Sequence, residues 1–453
     1  MSLRYHIYDA LWRLAWPWLR LRHWLRHRDR PDVSRRWRER LGHVALPDDG
    51  RDTLWIHAVS VGETRAAHPL VRALRRRYPR LRLLVTHMTP TGLETGHRLW
   101  AHDPAIVQAY APYDHSRWVR RFLEGARPRL GIVMETEIWP NWLRQAKRQG
   151  VPLVLANARL SERSFRRYRR FRWLLPLEWD AFVQVGAQSA ADAQRLRALG
   201  LSRIAVTGNL KFDWSPEPSA IALAQTWREA IGPRPVVVLA SSREGEEARF
   251  LRAWEGLRQE WAEREDFLFH EPPLLVIVPR HPERFDEVAR LIERHGLRYR
   301  RRSASLPHPE DDVWLGDSMG ELYAYYALAD VAIIGGSWER YGGQNPLEAL
   351  AAGTPPIVGP HTENFADVVA QGVAAQAIAQ VRSPQEAIEL AQLWIEQPDE
   401  RAAVIANGAI FLAAHRGATA RTLALLTPWL ERESGPERRN SIDGPVTPRP
   451  EAH

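Results

Sequence analysis

Glu63 stands where its carboxylate can do acid–base chemistry. It follows the apolar run Trp55 to Val59 and the small residues Ser60 to Gly62, and apolar residues at helical spacing resume after Thr64. Glu63 is therefore predicted to lie on a turn from a buried strand into a helix, where open parallel sheets bind their ligands. The helix dipole is expected to keep Glu63 ionised. Such a carboxylate either caps its helix or accepts the proton of an attacking substrate hydroxyl.

Two further carboxylates follow another apolar run. Glu135 and Glu137 come directly after residues 130–134. The carboxyl ends of parallel strands lie at one edge of a sheet, so these side chains and Glu63 are predicted to form an acidic region. Glu137 is a second catalytic candidate and Glu135 a candidate substrate contact, although either could simply hold its loop.

The second half of the chain carries residues suited to a phosphate at three strand ends. Ser241 and Ser242 follow one apolar run, and Arg280 follows another. A third run leads through glycines, including Gly343, to Asn345. Small hydroxyl side chains, a guanidinium and exposed backbone amides all bind anions. Together they predict a nucleotide-binding site.

Asn345 is predicted to cap a helix whose first residue is Pro346, with Glu348 three residues after the cap. Asparagine, proline and glutamate at these positions are typical of a helix start, and free amides at a helix start attract phosphate. The alternative is that Glu348 only caps its own helix.

The elements that must position these residues alternate along the chain. Apolar runs separated by helical stretches predict parallel βα units in two Rossmann-like layers. The runs are 54–59, 82–86, 106–110, 130–134, 152–156, 181–185, 204–207, 236–240, 274–278, 312–315, 331–334 and 356–358. Proline clusters near 213–218 and 232–235 mark a linker. The predicted organisation is an N-terminal helix (1–32), a first domain (33–212), a linker (213–234), a second domain (235–432) and a disordered tail (433–453).

Composition excludes several classes of protein. The chain has 453 residues, 45% of them hydrophobic, and no cysteine, so it is globular and has neither disulfides nor thiolate metal sites. Its formal net charge is +9, of which residues 1–40 contribute +7 through eleven arginines against four acids. The remaining +2 argues against a nucleic-acid-binding protein, since such a protein needs a basic surface across its folded domains.

The N-terminal arm is apolar as well as basic. Ile7, Leu11, Leu14, Trp18 and Leu21 recur at helical spacing, and its longest uncharged run is too short to cross a bilayer. An arginine-rich helix with such a stripe suits the surface of an anionic membrane. The alternative is that the stripe packs on the protein itself.

Long ordered segments of the chain resemble the transferases of Kdo (3-deoxy-D-manno-octulosonic acid) in lipopolysaccharide synthesis. They are HAVSVGE (57–63), METEIWPN (134–141), NARLSERS (157–164), GNLKFD (208–213), SREGEE (242–247), VPRHPERF (278–285), GDSMGEL (316–322), GGQNPLEA (342–349) and GPHTENF (359–365). These segments are spread over most of residues 30–370, so the resemblance is more specific than any single glycine-rich loop.

The resemblance implies an α/β chain of the glycosyltransferase B fold, with two Rossmann-like domains facing each other across a cleft, plus the N-terminal amphipathic helix. It implies an inverting, metal-independent transfer of Kdo from CMP-Kdo to a lipid A precursor, at the cytoplasmic face of the inner membrane of a Gram-negative bacterium. Anionic inner-membrane lipids are then expected partners, and nucleic acid is not.

Carried over by the same resemblance, the general base is Glu63, with Ser60 and Gly62 as neighbouring contacts. CMP contacts are Ser241, Ser242, Arg280, Asn345 and Glu348, with Glu348 on the ribose; Lys211 is a candidate near the donor phosphate. Three residues differ from those usual in the family: Ser242 replaces a threonine, and Arg243 and Gln344 each replace a histidine. All three lie on the donor side, so these differences concern contacts with the donor and not the base. A nucleotide-sugar epimerase of the same architecture is the alternative function, but it has no use for an amphipathic arm.

Overall fold

The computed structural model describes residues 3–28, 30–171, 177–214, 216, 218–263 and 272–431. It contains two compact α/β units. The first comprises the described residues up to Asp213 together with those from Gly417 onward, and the second comprises Trp214–Arg416.

The first unit is built on a seven-stranded parallel sheet in the order β3-β2-β1-β4-β5-β6-β7. Its strands are β1 (Thr53–His57), β2 (Arg82–His87), β3 (Ile106–Tyr110), β4 (Leu130–Met134), β5 (Leu153–Ala158), β6 (Phe182–Ala187) and β7 (Ile204–Val206). The strand order reverses between β1 and β4, which pair in register from Leu54 with Leu130 to His57 with Val133. Ligands of such sheets bind outside the strand ends at this switch point, and Glu63 and Glu135 follow these two strands.

Helices cover both faces of the first sheet, because its strands are apolar on both sides. The helices are α1 (Leu3–His27), α2 (Pro31–Ser34), α3 (Val61–Arg77), α4 (Pro90–Trp100), α5 (Ser116–Ala126), α6 (Pro140–Arg148), α7 (Glu162–Phe171) and α8 (Ala190–Leu199).

The second unit repeats the architecture with the strand order β10-β11-β9-β8-β12-β13-β14. Its strands are β8 (Val236–Ser242), β9 (Leu274–Pro279), β10 (Tyr299–Arg301), β11 (Val313–Leu315), β12 (Val331–Ile334), β13 (Pro356–Val358) and β14 (Ala379–Gln380). Its helices are α9 (Pro218–Ile231), α10 (Glu246–Glu263), α11 (Phe285–Arg294), α12 (Leu322–Leu328), α13 (Leu347–Ala351), α14 (Ala366–Ala374), α15 (Pro384–Glu396) and α16 (Pro398–His415). The switch point lies between β8 and β12, where Ala240 pairs with Ile334.

The chain returns to the first unit at its end. Helix α17 (Ala418–Leu430) buries Ala418, Leu426 and Leu430 in the same apolar cluster as Ile56 and Leu70 of the first sheet. The sequence-based prediction assigned residues up to 432 to the second domain, whereas the described residues from Gly417 onward belong to the first unit. The helical pattern continues through this region and does not show which core its apolar face joins. The predicted tail at 433–453 lies outside the described residues.

The predicted linker contains a helix that packs on the second unit. Trp227 of α9 is fully buried and contacts the rings of Trp314 and Tyr325, with ring centroids 4.9 and 4.8 Å apart. The change of unit falls at Asp213 and Trp214, where the proline-rich segment begins.

Helix α1 has two apolar faces where the sequence suggested one wide stripe. The inner face packs on the first unit: Tyr5 is buried with its hydroxyl 3.0 Å from Glu178, and the Trp16 ring lies 5.3 Å from Trp37 and 4.7 Å from Trp118. The outer face is exposed and carries Leu3, Ile7, Leu11, Leu14, Trp18, Leu21, Trp24 and Leu25. The alternative that the stripe packs on the protein itself thus holds for the inner face, and the membrane-binding prediction is left to the outer face. Within the described part of the chain, the helices are too short or too polar to cross a bilayer.

Candidate active site

Glu63 lies in the first turn of α3 and takes part in its cap. Ser60 is the N-cap residue, and its hydroxyl oxygen accepts the Glu63 N–H at 3.5 Å. The Glu63 carboxylate accepts the Val59 N–H at 2.9 Å and the Ser60 hydroxyl at 3.3 Å. These contacts fix the carboxyl group at the end of β1, so the capping and catalytic alternatives are compatible. Gly62 occupies the same turn.

The protonation of Glu63 differs from the sequence-based expectation. Burial and, to a lesser degree, repulsion from Glu135 and Glu137 raise its pKa to about 8, although the Val59 N–H and the Ser60 hydroxyl oppose the rise. The expectation that the helix dipole keeps Glu63 ionised was wrong, because desolvation and two nearby carboxylates outweigh the amides of the helix start. A carboxylate with a raised pKa is the stronger base.

The acidic loop, residues 135–139, connects β4 to α6. Glu135 has a left-handed backbone (φ 54°), and its N–H donates to the carbonyl of Ala156 at 2.9 Å. Glu137 accepts the indole N–H of Trp139 at 2.8 Å, and burial raises the pKa of Glu137. The structure thus brings both predicted loop carboxylates into the electrostatic environment of Glu63.

Lys211 lies in the first unit beside the acidic loop. Its Nζ is 3.6 Å from Oε1 of Glu135, and both side chains are largely buried. The sequence placed Lys211 near a donor phosphate. In the structure Lys211 forms an ion pair with Glu135.

A glycine loop follows β12 in the second unit and runs from Gly335 to Gly343. A Cβ at Gly335 would lie 2.6 Å from the carbonyl oxygen of Ser241, so only glycine fits this approach between neighbouring strand ends. Gly343 has a φ of 78°, which also favours glycine.

Glu246, which sequence reasoning did not single out, organises this loop. Its buried carboxylate accepts the N–H groups of Gly336 at 2.8 Å, Trp338 at 3.0 Å and Arg243 at 2.8 Å. It therefore fastens the glycine loop to the end of β8. The acid-rich first turn of α10 was the available signal, but sequence could not show that one acid points back at a loop 90 residues away.

Ser241 and Ser242 have different environments at the end of β8. Ser241 has a left-handed backbone (φ 57°) and lies against Gly335. Ser242 is fully buried, and its hydroxyl donates to Glu247 at 2.7 Å, which is in turn paired with Arg284 at 2.7 Å. The Ser242 side chain belongs to this internal network, so Ser241 is the stronger candidate for a ligand contact.

The substituted positions Arg243 and Gln344 are neighbours. A Cβ built on Gly336 would be 3.1 Å from the Gln344 amide nitrogen and 3.6 Å from Cγ of Arg243. The Arg243 guanidinium lies 4.4 Å from the centre of the Tyr341 ring and donates to Nε2 of His281. Burial and the nearby arginines lower the pKa of His281, which favours the neutral ring that accepts this bond.

Arg280 follows the end of β9, whereas Asn345 and Glu348 lie at the start of α13. The Arg280 N–H donates to the Ser242 carbonyl at 3.0 Å, which sets Arg280 beside the end of β8. Asn345 accepts the Leu347 N–H at 3.1 Å, and its amide donates to Glu348 at 3.2 Å. The helix begins at Leu347, so the prediction that Pro346 is its first residue was wrong; Pro346 is the cap and Asn345 forms a turn before it.

Comparisons with known proteins bear on both units. The family model described as "3-Deoxy-D-manno-octulosonic-acid transferase (kdotransferase)" matches residues 35–214, and "Glycosyl transferases group 1" matches residues 298–410. A 3-deoxy-D-manno-octulosonic acid transferase of Bordetella pertussis is 44% identical over 385 residues, which cover 83% of this chain and 87% of that protein. The chain belongs to the Kdo transferase family.

A second Kdo transferase, from Haemophilus influenzae, is 36% identical over 414 residues, covering 88% of this chain and 93% of its own length. The crystal structure of a putative UDP-N-acetylglucosamine 2-epimerase from Listeria monocytogenes has a TM-score of 0.54 at 15% identity, covering 84% of this chain and 97% of that one. A likeness at that identity shows the fold alone. The glycosyltransferase B fold and the enzyme class implied by the sequence are confirmed, and the epimerase alternative is not favoured.

Proposed function

We propose that this Kdo transferase moves Kdo from CMP-Kdo to a phosphorylated lipid A precursor, with inversion and without a metal ion. Membership of the family supports the sugar. The observation that carries the mechanism is Glu63, a buried carboxyl group with a raised pKa at the switch point of the first sheet. Inversion in one step needs one base and no enzyme nucleophile.

In the proposed step an acceptor hydroxyl oxygen attacks the anomeric carbon of Kdo. The new carbon–oxygen bond forms as the bond to the CMP phosphate breaks, CMP leaves with the electron pair, and the hydroxyl proton passes to Glu63. Ser60 and Gly62 hold the turn that presents the carboxylate. Glu135 and Glu137 keep its pKa high, so the base is strong once it is deprotonated.

The second unit is proposed to bind CMP. Arg280 matches the negative phosphate, because cationic donors stabilise a departing anion. Gly343, which has no side chain, is proposed to let the nucleotide approach the glycine loop closely. Ser241 lies at the end of β8 and Asn345 in the turn before α13, and both are proposed nucleotide contacts. Glu348 is the proposed partner of the ribose hydroxyls. We place Lys211 with Glu135 on the acceptor side.

The pH dependence of turnover tests the proposed base. Since only deprotonated Glu63 can accept a proton, kcat/KM is expected to rise with pH through an apparent pKa near 8. Glu135 and Glu137 are the charged groups that act on Glu63, and Lys211 pairs with Glu135. His87 contacts Thr64 next to Glu63, and burial lowers the pKa of His87 to about 4, so its ring is neutral. Glu137→Gln removes one repelling charge and should move this limb to lower pH.

Initial rates across the neutral and mildly alkaline range measure both profiles. A wild-type profile without an acidic limb would contradict the assignment of Glu63. An acidic limb of the Glu137→Gln profile that lies at higher pH than in the wild type would also contradict the assignment.

The outer face of α1 is proposed to bind the anionic surface of the inner membrane from the cytoplasmic side. Its leucines and tryptophans are exposed, and exposed arginines of the same helix include Arg4, Arg20, Arg22 and Arg26. Apolar side chains enter the headgroup region while arginines attract anionic lipids. A phosphorylated lipid acceptor would be met at this surface.

Vesicle binding tests that surface. Leu11→Ser combined with Leu14→Ser should lower partitioning onto phosphatidylglycerol-containing vesicles by roughly tenfold or more, since each leucine loses its transfer free energy. Ile410→Ser is the matched control, because Ile410 is 69% exposed in the second unit while Leu14 is 77% exposed. Sedimentation with vesicles measures both variants. Equal partitioning of the double variant and the control would exclude the outer face as the membrane-binding surface.

A further inference from the structure

The inner face of α1 is fastened to the first unit by buried polar contacts. The Asp9 carboxylate accepts the Asn141 side-chain amide at 2.9 Å, the Ser116 N–H at 3.1 Å and the Ser116 hydroxyl. Tyr8 interacts with Asp114 and favours the charged form of that carboxyl group. Asn141 and Ser116 lie at the starts of α6 and α5, so α1 holds the beginnings of two helices.

Asp114 continues this network into α6. It is 2% exposed, and its carboxylate accepts the N–H groups of Asn141 at 3.1 Å and Trp142 at 3.0 Å. Its carbonyl oxygen accepts the Asn141 amide at 2.7 Å. The first turn of α6 is thus capped by Asp114, and both Asp114 and Asn141 are contacted by side chains of α1.

The start of α6 is also the end of the acidic loop. Glu137 lies three residues before Pro140, and it bonds to Trp139, the N-cap residue of α6. The other end of the loop is fixed to the sheet through Glu135. The position of the loop carboxylates near Glu63 therefore depends on two anchor points, of which α1 holds one.

Membrane attachment alone does not require these contacts. Apolar packing of Trp16 against Trp37 and Trp118 already attaches the helix. Burying carboxyl groups is costly unless they are matched with donors, and here Asp9 and Asp114 find their donors at the starts of α5 and α6.

We infer that α1 is a positioning element of the catalytic site, with Asp9 and Tyr8 as positioning residues that hold the acidic loop against Glu63. This inference rests on the proposed role of Glu63 as the base. It gives one helix two tasks: the outer face meets the lipid surface, and the inner face sets the geometry of the acidic loop.

Kinetics of the full-length protein with CMP-Kdo and a detergent-dispersed lipid A precursor test this inference, because the detergent removes vesicle binding from the assay. Asp9→Ala should lower kcat about tenfold, since a small displacement near a catalytic group has effects of this size. Asp9→Asn keeps one acceptor oxygen and should lie between Asp9→Ala and the wild type. The acidic limb of kcat/KM should move to lower pH in Asp9→Ala, as the carboxylates of the loosened loop repel Glu63 less.

Asp103→Asn is the matched control for a general loss of stability. Asp103 pairs with Arg75 at 2.7 Å and accepts the Ala105 N–H at 3.0 Å. It precedes β3 and so lies at the amino-terminal ends of the strands, whereas Glu63 and the acidic loop lie at their carboxyl ends. The thermal unfolding temperature of Asp103→Asn should fall, while its kcat and the acidic limb of its kcat/KM profile should stay at wild-type values. Tyr8→Phe removes only a hydroxyl, so it tests the positioning role of α1 even if Asp9→Ala does not fold. A lower kcat and an acidic limb of kcat/KM at lower pH are expected for this variant too.

Wild-type kcat and an unshifted limb in Tyr8→Phe and in folded Asp9→Ala would overturn the inference and leave α1 as an anchor. That result would leave the proposed base intact. A separate experiment tests the assignment of Glu63 as the base: normal turnover of a Glu63→Gln variant would show that this assignment is wrong.

Discussion

Glu63→Gln is expected to lower kcat by roughly 10²-fold or more and to leave CMP binding near the wild-type level. Glutamine keeps the size of the side chain and can still accept the Val59 N–H, but it cannot take up the hydroxyl proton. The variant should also be more stable at alkaline pH. The folded pKa of Glu63, about 8, lies above its ordinary value of 4.5, so its protonated form stabilises the fold at low pH and that contribution is lost as pH rises through 8.

Steady-state kinetics, calorimetric titration with CMP and thermal unfolding separate these effects. Glu162→Gln is the control, because Glu162 lies in the same unit on the exposed surface and pairs with Arg166 at 2.9 Å. A Glu63→Gln variant with the turnover of this control would remove Glu63 from the mechanism.

Glu348→Gln is expected to raise the Kd for CMP by about tenfold to a hundredfold. This is the range for the loss of a hydrogen bond to a charged group. The carboxylate is proposed to accept the ribose hydroxyls, and the neutral amide is a weaker acceptor. Asn345, which donates to Glu348 at 3.2 Å, can still donate to glutamine, so the turn before α13 should persist. KM for CMP-Kdo should rise in parallel.

Glu339→Gln is the matched control for this second variant. Glu339 lies on the glycine loop and pairs with Arg249 at 2.8 Å, with 44% of its side chain exposed. Calorimetric titration with CMP should give near wild-type affinity for Glu339→Gln. Equal affinities of the two variants would exclude Glu348 from the nucleotide site.

Much of the fold was predictable because strand periodicity is local. Every apolar run read from the sequence coincides with a strand. Among the strands of the described residues, β10 and β14 were missed, and they have three and two residues. The strand-end positions of Glu63, Glu135, Ser241 and Arg280 followed from the same pattern. The parallel order and its switch points then bring the ends of neighbouring strands together.

The properties that escaped prediction depend on tertiary contacts. The pKa of Glu63 is set by its burial and by residues more than 70 positions away. The binding of Ser242 to Glu247 and the loop contacts of Glu246 are side-chain orientations that spacing does not specify. The two faces of α1 read as one stripe because tryptophans and leucines alternate around the helix, and only packing shows which of them are buried.

Mass spectrometry of a lipid A precursor incubated with CMP-Kdo and the full-length protein tests the central claim most directly. We expect an acceptor whose mass increases by Kdo units, an equal amount of released CMP, and loss of both products with Glu63→Gln. CMP release that yields only free Kdo, or the same acceptor product from the Glu63→Gln variant, would contradict it.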